Sequence, residues 1–280
     1  MILEIIKFII YSGLIVIISK YVLTIALRKL AENLNLKAKT VGSIAGIATS
    51  VPELLTIVTA SLRNLSGASI YNILSSNIIN LIQYVGTIIF NKNAKNLKNK
   101  AIKADLVMVA ITIIIPILLL KFNIQLSFSI VPIFILLYML FRVINNNAHK
   151  LYLKREDKTI ENEIEKETKK EIRYKRKTAK YITILVFTGI VLFVIGELLG
   201  NTLDSLCKIF NVPEVVIGIF LGFITSIPEL ITFFESQKHH NKNKEEILGV
   251  VEATNNLLTS NVMNLFIIQT IAIILMNIVK

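Results

Sequence analysis

The sequence Thr49-Ser50-Val51-Pro52-Glu53-Leu54 lies inside an apolar stretch, and it recurs in a second apolar stretch as Thr225-Ser226-Ile227-Pro228-Glu229-Leu230. Each copy sets a carboxylate beside a proline in the middle of a predicted transmembrane helix. A charge at that depth costs about 3 kcal/mol or more unless it has a partner or a ligand. The repetition of this arrangement predicts an internally duplicated transporter with one central cation site.

A second matching block follows each copy of the motif. It reads NILSSNIINL over Asn72–Leu81 and NLLTSNVMNL over Asn256–Leu265. The second copy has a short insertion between its two parts, which we place in the polar stretch Gln237–Glu246. We expect a surface loop there, because a longer loop adds little closure entropy. His239 and His240 are expected to be solvated in this loop.

Composition indicates a membrane protein. The chain is 54% hydrophobic, with a mean hydropathy of +0.65, and it carries a net charge of +12. Apolar runs of about 20 residues, the length that crosses a bilayer, recur along it. We predict an all-α, polytopic fold with eight spans, over 2–30, 40–62, 68–90, 101–121, 126–145, 180–209, 213–236 and 247–279.

Lysine and arginine are concentrated in alternate connections, which predicts that the N-terminus lies outside the cell. The two motif helices then run in opposite directions, so the repeats are inverted. We expect a first repeat over 1–145 with five spans, a charged cytoplasmic linker over 146–179, and a shortened second repeat over 180–280 with three. The basic loops predict contact with anionic lipid headgroups of the cell membrane. No motif indicates a nucleic-acid partner.

The chemistry of the paired motif favours a hard cation. Each proline interrupts a helix turn and is expected to free carbonyl groups near Gly46 and Gly222. Hydroxyl, carboxylate and amide side chains near the breaks add oxygens, which are the ligands that Ca²⁺ and Na⁺ prefer. No thiolate or imidazole stands among them for a softer metal. The predicted ligands are Glu53, Glu229, Thr49, Ser50, Thr225, Ser226, Ser76, Ser260, Asn80, Asn264, Gly46 and Gly222. Glu197 is a further acidic candidate.

These motifs resemble those of the sodium/calcium exchanger family of cation/Ca²⁺ antiporters, which has two inverted repeats and a Gly-Thr-Ser-hydrophobic-Pro-Glu signature. Thr49–Glu53 and Thr225–Glu229 match that signature except for its glycine, which is replaced by Ala48 and Ile224. The resemblance implies that the two glutamates are the central carboxylates. It also implies that the neighbouring hydroxyls and the glycine carbonyls supply further oxygens.

The chain departs from the family in two further ways. Asn80 and Asn264 hold positions of which one often carries an acid, so the resemblance leaves the number of bound ions open. The family usually has ten spans, so the second repeat is expected to lack its last two helices. Three explanations remain open: eight spans suffice, a second copy or a helper subunit completes the bundle, or the chain is an unusual or decayed member.

The sequence therefore predicts a secondary antiporter, and not an enzyme, that exchanges Ca²⁺ for Na⁺ by alternating access. No cofactor is expected beyond the transported Ca²⁺ and Na⁺, and no P-loop for ATP appears. One alternative is Ca²⁺/H⁺ or another cation/H⁺ exchange, because closely spaced carboxylates in a dry site can bind protons near neutral pH. The other is a non-transporting cation-binding membrane protein built on a decayed exchanger scaffold.

Overall fold

The computed structural model describes residues 2–34, 38–63, 65–122, 124, 127–155, 175–211, 213–242 and 245–279. Every element in these segments is helical. The α-helices are α1 (Ile2–Ile18), α2 (Ile25–Asn33), α3 (Ala38–Thr49), α4 (Val51–Leu62), α5 (Ser66–Phe90), α6 (Lys100–Lys121), α7 (Val131–Arg155), α8 (Lys175–Phe210), α9 (Glu214–Thr225), α10 (Ile227–Lys242), α11 (Glu246–Val262) and α12 (Gln269–Val279). Shorter π- and 3₁₀-helical turns lie at Ser19–Thr24, Ala94–Lys98, Phe128–Ile130 and Met263–Ile268.

Eight helical segments of the described chain are long and apolar enough to cross a membrane, which confirms the predicted polytopic all-α fold. They are Ile2–Leu27, Lys39–Leu62, Gly67–Phe90, Lys100–Lys121, Phe128–Asn145, Ala179–Leu203, Val215–Lys242 and Glu246–Val279. The orientation of the N-terminus and the division into two repeats and a linker stay predictions. Most of the linker, residues 156–174, lies outside the described residues.

Both motif spans are broken at the serine that precedes the proline. Ser50 separates α3 from α4 with φ −80° and ψ 0°, and Ser226 separates α9 from α10 with φ −80° and ψ −2°. Each serine Oγ lies within hydrogen-bond distance of the carbonyl oxygen four residues earlier, at Gly46 (2.9 Å) and at Gly222 (2.7 Å). The sequence breaks both helices in the same way because a proline cannot donate to the preceding turn.

Each broken span packs against the opposite repeat. Helix α3 lies against α11, and α9 lies against α5. Glycines allow these close approaches: Gly42 lies on the backbone of Glu252, and Gly218 lies on the backbone of Ala68. A Cβ atom at Gly218 would stand 2.6 Å from the Ala68 carbonyl oxygen. The two crossings use equivalent glycine contacts, as the predicted repeats would require.

The prediction of a surface loop over Gln237–Glu246 is wrong. Helix α10 continues to Lys242, and within it Gln237 is fully buried and His240 is 4% exposed. The residues of the insertion extend the helix because their polar groups have buried partners: Gln237 Nε2 donates to Thr87 Oγ1 of α5 at 3.1 Å. His239 is exposed, as the sequence predicted.

The glycine crossings yield a stability prediction. We expect Gly218→Ala to lower the free energy of unfolding by about 1–3 kcal/mol, because its methyl group must displace backbone atoms of α5. Gly189→Ala is the matched control, since a Cβ at Gly189 in α8 meets nothing within 4 Å. Thermal unfolding of both purified proteins in one detergent measures the difference. Equal transition midpoints for the two variants would contradict the close crossing.

Candidate ion-binding site

Two glutamates occupy equivalent places in the two repeats. Glu53 lies in the first turn of α4 and Glu229 in the first turn of α10, directly after the helix breaks. Both are fully buried, and they lie within electrostatic range of each other. The positive end of each helix dipole partly offsets the charge of its carboxylate. The structure thus brings the two predicted central carboxylates together in the interior.

Hydroxyl groups flank each carboxylate from the opposite repeat. Thr225 lies beside Glu53, and Thr49 lies beside Glu229. Both threonine side chains also donate to backbone carbonyls, at 2.9 Å from Thr225 Oγ1 to the oxygen of Leu221 and at 3.3 Å from Thr49 Oγ1 to that of Gly46. Their oxygens therefore remain near the carboxylates without neutralising them.

The two carboxylates differ in their hydrogen bonds. Ser260 Oγ donates to Glu229 Oε1 at 2.9 Å. Ser50 Oγ lies 2.9 Å from both Ser260 Oγ and the Gly46 carbonyl oxygen, and its single proton can go to one or the other. Glu229 Oε2 and both oxygens of Glu53 have no hydrogen-bond partner among the described residues. Three buried carboxylate oxygens are therefore available to a cation.

Ser76, the equivalent of Ser260, does not bond to Glu53. Its Oγ lies 3.3 Å from the carbonyl oxygen of Gly222 and 3.2 Å from the amide oxygen of Asn72, and it can donate to one or the other. The first-repeat carboxylate consequently lacks the serine donor that its counterpart has. This is the main departure from symmetry at the site.

Asn80 and Asn264 contribute amide oxygens. Both are fully buried, and their Nδ2 groups donate at 3.2 Å to the side-chain oxygens of Asn261 and Asn77. Their own Oδ1 atoms have no hydrogen-bond partner within the part of the chain that the structure describes. These donations turn each amide so that its oxygen is left as a potential cation ligand.

The glycine carbonyls at the breaks already accept hydrogen bonds. The oxygen of Gly46 accepts from the Ser50 amide at 3.2 Å, and the Ser50 hydroxyl lies 2.9 Å from it. Gly222 has the same two donors in Ser226. A carbonyl oxygen keeps a second lone-pair direction, so the role of both glycines as ligands stays a prediction.

All ten predicted side-chain ligands are buried, with none more than 2% exposed. They bring carboxylate, hydroxyl and amide oxygens to one interior region, a set that matches the six to eight oxygens that Ca²⁺ takes. Two buried carboxylates with so few hydrogen-bond donors require a neutralising cation or proton. Glu197 is exposed on α8 and does not join this set.

Sequence reasoning missed four asparagines that hold the site together. Asn72 donates to Thr56 Oγ1 at 3.0 Å, and Asn256 donates to Thr232 Oγ1 in the second repeat. Asn77 and Asn261 donate to each other's backbone carbonyls at 3.3 and 3.1 Å. The sequence contained a signal that could have identified them, because all of these residues recur at equivalent positions in the two predicted repeats. Their role is to fix the second blocks against the broken helices.

Comparisons with known proteins agree with this architecture. The sequence profile of the family described as sodium/calcium exchanger protein matches residues 5–145 and 180–280. The fold is similar to that of the sodium-calcium exchanger NCX_Mj soaked with 100 mM Na⁺ and 10 mM Sr²⁺, with a TM-score of 0.56 and 20% identity, covering 99% of this chain and 83% of that one. It is also similar to the H⁺/Ca²⁺ exchanger CAX, with a TM-score of 0.65 and 14% identity, covering 99% of this chain and 68% of that one.

No curated protein sequence matches the chain. The family profile nevertheless covers both repeats, including each copy of the Thr-Ser-x-Pro-Glu motif and the block that follows it. The overall fold is similar to that of the two solved exchangers. The chain belongs to the sodium/calcium exchanger family.

Proposed function

We propose that the protein is a secondary-active antiporter that exchanges Ca²⁺ for Na⁺ through the site between Glu53 and Glu229. The observation that carries the proposal is a pair of fully buried carboxylates, one from each repeat, with three oxygens that lack hydrogen-bond partners among the described residues. Two such charges are tolerated in a membrane interior only with compensating cations. We place the protein in the cell membrane, across which a Na⁺ gradient can drive the exchange.

Charge balance defines the stoichiometry of the proposal. Two carboxylates neutralise one Ca²⁺, and they neutralise two Na⁺ equally well. The flanking positions hold the neutral amides of Asn80 and Asn264, so among the proposed ligands no third charge is available. We therefore propose an exchange of one Ca²⁺ for two Na⁺, which moves no net charge across the membrane.

Alternating access is the mechanism that completes this proposal. Helices α3 and α9 contact α11 and α5 through equivalent glycines. We propose that the bundle alternates between two packings related by exchange of these equivalent contacts. Each packing exposes the site to one side of the membrane. Bound cations neutralise the two carboxylates and so allow the change between packings. Without cations, two unneutralised negative charges would have to be enclosed in dry protein during the change, which is energetically costly. Exchange without leak is the expected result.

Ion flux tests the counter-ion and the stoichiometry together. Proteoliposomes loaded with Na⁺ are expected to take up labelled Ca²⁺ when the Na⁺ gradient points outward, and K⁺-loaded vesicles are the control. A potential of 100 mV set with valinomycin should leave the rate unchanged, because an exchange that moved one net charge would gain or lose about 2.3 kcal/mol at that potential. A strong voltage dependence would contradict the two-to-one stoichiometry.

Substitution of the carboxylates tests the two-repeat site. We expect Glu53→Gln and Glu229→Gln each to reduce Ca²⁺ uptake about 100-fold or more, because each removes half of the charge that neutralises a divalent ion at a cost of about 3 kcal/mol. Glu197→Gln makes the same chemical change on the exposed face of α8 and should retain uptake near that of the unmodified protein. Normal uptake by a correctly folded Glu229→Gln protein would rule out a site shared by both repeats.

Ca²⁺/H⁺ exchange is the second candidate, and the environment of Glu53 favours it. A proton neutralises a buried carboxylate without hydrogen-bond donors as effectively as Na⁺ does. The same vesicles distinguish the two: uptake that ignores Na⁺ but follows an imposed pH gradient would replace the Na⁺ proposal with this one. A non-transporting cation-binding role requires equilibrium Ca²⁺ binding with no flux of either kind, measured on one preparation.

A further inference from the structure

A line of buried polar side chains leads along α10 away from the central site. Thr232, Ser236, Gln237 and His240 follow Glu229 on one face of the helix, and all of them are buried. His240 lies roughly 16 Å from Glu229 along the helix axis at 1.5 Å per residue. Apart from Thr232, the residues of this line are not among the groups assigned to the ion site above.

His240 lies between two carboxylates at the end of this line. Its Nε2 forms a hydrogen bond with Glu252 Oε2 of α11 at 3.1 Å. Its Nδ1 stands at an ion-pair distance of 3.5 Å from Oε2 of Glu245, the residue that precedes α11. Glu252 is buried like the histidine. A neutral imidazole carries one N–H, and only the protonated ring presents a donor to both carboxylates. The geometry therefore suits the imidazolium form.

The contact of His240 with its carboxylates lies where α10, α11 and the end of α5 meet, and we call this junction the seam. A Cβ on Gly249 of α11 would stand 3.1 Å from His240 Cβ and 2.9 Å from Gln237 Cα, so α10 and α11 are in close contact here. Gln237 joins both to α5: its Nε2 donates to Thr87, and its Oε1 accepts from Asn93 Nδ2 at 3.1 Å. The contact therefore lies at the outer end of the buried polar face of α10.

Other ionisable groups of the described chain surround the histidine. On α10 the ring of His239 lies 5.2 Å away between centroids, in an edge-on arrangement. Beyond Glu245 and Glu252 on the α11 side, Glu246 is paired with Lys95, which follows α5, at 2.6 Å. From α5 and the turn after it, the polar groups at the seam are the hydroxyl of Thr87 and the amide of Asn93. Glu245 and Glu252 are the carboxylates at ion-pair distance from His240 in the contacts described above.

Among the described residues, the first repeat shows no equivalent of this arrangement. Gly42 lies against the backbone of Glu252 in the same way that Gly218 lies against that of Ala68, so Ala68 occupies the position equivalent to Glu252. A methyl group cannot bind an imidazole proton. The histidine and its carboxylates are therefore an addition to one end of the molecule and are separate from the symmetric ion site.

We propose that His240, Glu252 and Glu245 form a proton-binding site that controls access to the central site from this end of the molecule. When His240 is protonated, it hydrogen-bonds to Glu252, attracts the Glu245 carboxylate at ion-pair distance and holds α10 against α11. When it loses the proton, the attraction to both carboxylates weakens, so the contact between α10 and α11 loosens. Since imidazole titrates near neutral pH, access should increase as the pH rises through that range.

Thiol accessibility tests the proposal without relying on transport. Cys207 is the single cysteine of the chain, so Cys207→Ser provides a cysteine-free background. Ser236→Cys then places a thiol on the buried face of α10, between His240 and Glu229. In nanodiscs, its modification by a charged methanethiosulfonate reagent should be about tenfold faster at pH 8 than at pH 5.5, the size expected for loss of a charge-assisted hydrogen bond. Rates are normalised to Lys98→Cys, an exposed site, because every thiol reacts faster as it ionises.

Two histidine variants decide the outcome. In the Ser236→Cys background, His240→Gln should give the same fast normalised rate at both pH values, because glutamine cannot be protonated. His239→Gln changes the exposed neighbour on the same helix and should keep the tenfold dependence. A pH dependence that survives in His240→Gln, or that is absent from the background itself, would overturn the proposal.

Flux measurements separate this proposal from the exchange on which its transport consequence rests. If the exchange is real, Ca²⁺ uptake that is limited at this end should rise with pH in the unmodified protein and become flat in His240→Gln. A protein with no flux but with normal pH-dependent labelling would contradict the exchange proposal and support the proton-binding site. Normal flux with pH-independent labelling would contradict the proton-binding site and support the exchange.

Discussion

Two carboxylate charges in the dry interior of a helical bundle are the constraint on which the rest of this structure depends. Glu53 and Glu229 cannot be buried together unless something positive compensates them, and the surrounding architecture supplies oxygens while offering few donors. The breaks at Ser50 and Ser226 place both carboxylates at positive helix ends, where the dipoles offset part of their charge. The glycine crossings then bring the opposite repeat close enough for its hydroxyls to complete the surroundings. The helix breaks and the close glycine contacts can thus both be explained by the need to accommodate two buried carboxylates.

The two repeats are equivalent in backbone and unequal in chemistry. Ser260 bonds to Glu229, whereas its counterpart Ser76 bonds away from Glu53. Two carboxylates at equivalent sequence positions therefore have different hydrogen-bond environments. At the periphery the inequality is larger, since the buried pair of His240 and Glu252 belongs to the second repeat alone. A duplicated protein can in this way keep one symmetric ion site while its two access routes acquire different properties.

The eight spans and the burial of the ten proposed ligands were predictable because the membrane imposes constraints that act locally. Apolar length and an intramembrane charge can both be recognised within about 20 residues. The extension of α10 was not predictable in this way, because it depends on Thr87 and Asn93, which come from a distant part of the chain. The exposure of Glu197 likewise depends on which face of α8 meets α4, and hydropathy alone does not distinguish the faces of a uniformly apolar helix.

The crossing of α3 with α11 also bears on how the protein is made. Gly42 belongs to an early span, and the backbone of Glu252 on which it rests is synthesised only with the last one. The first half of the chain must therefore wait in the membrane with Glu53 present and its surroundings unfinished. Folding of the ion site is then a late, post-insertion event for both halves at once. A gene split between the repeats could still yield the protein, but only if the two products met in the same bilayer before quality control removed either one.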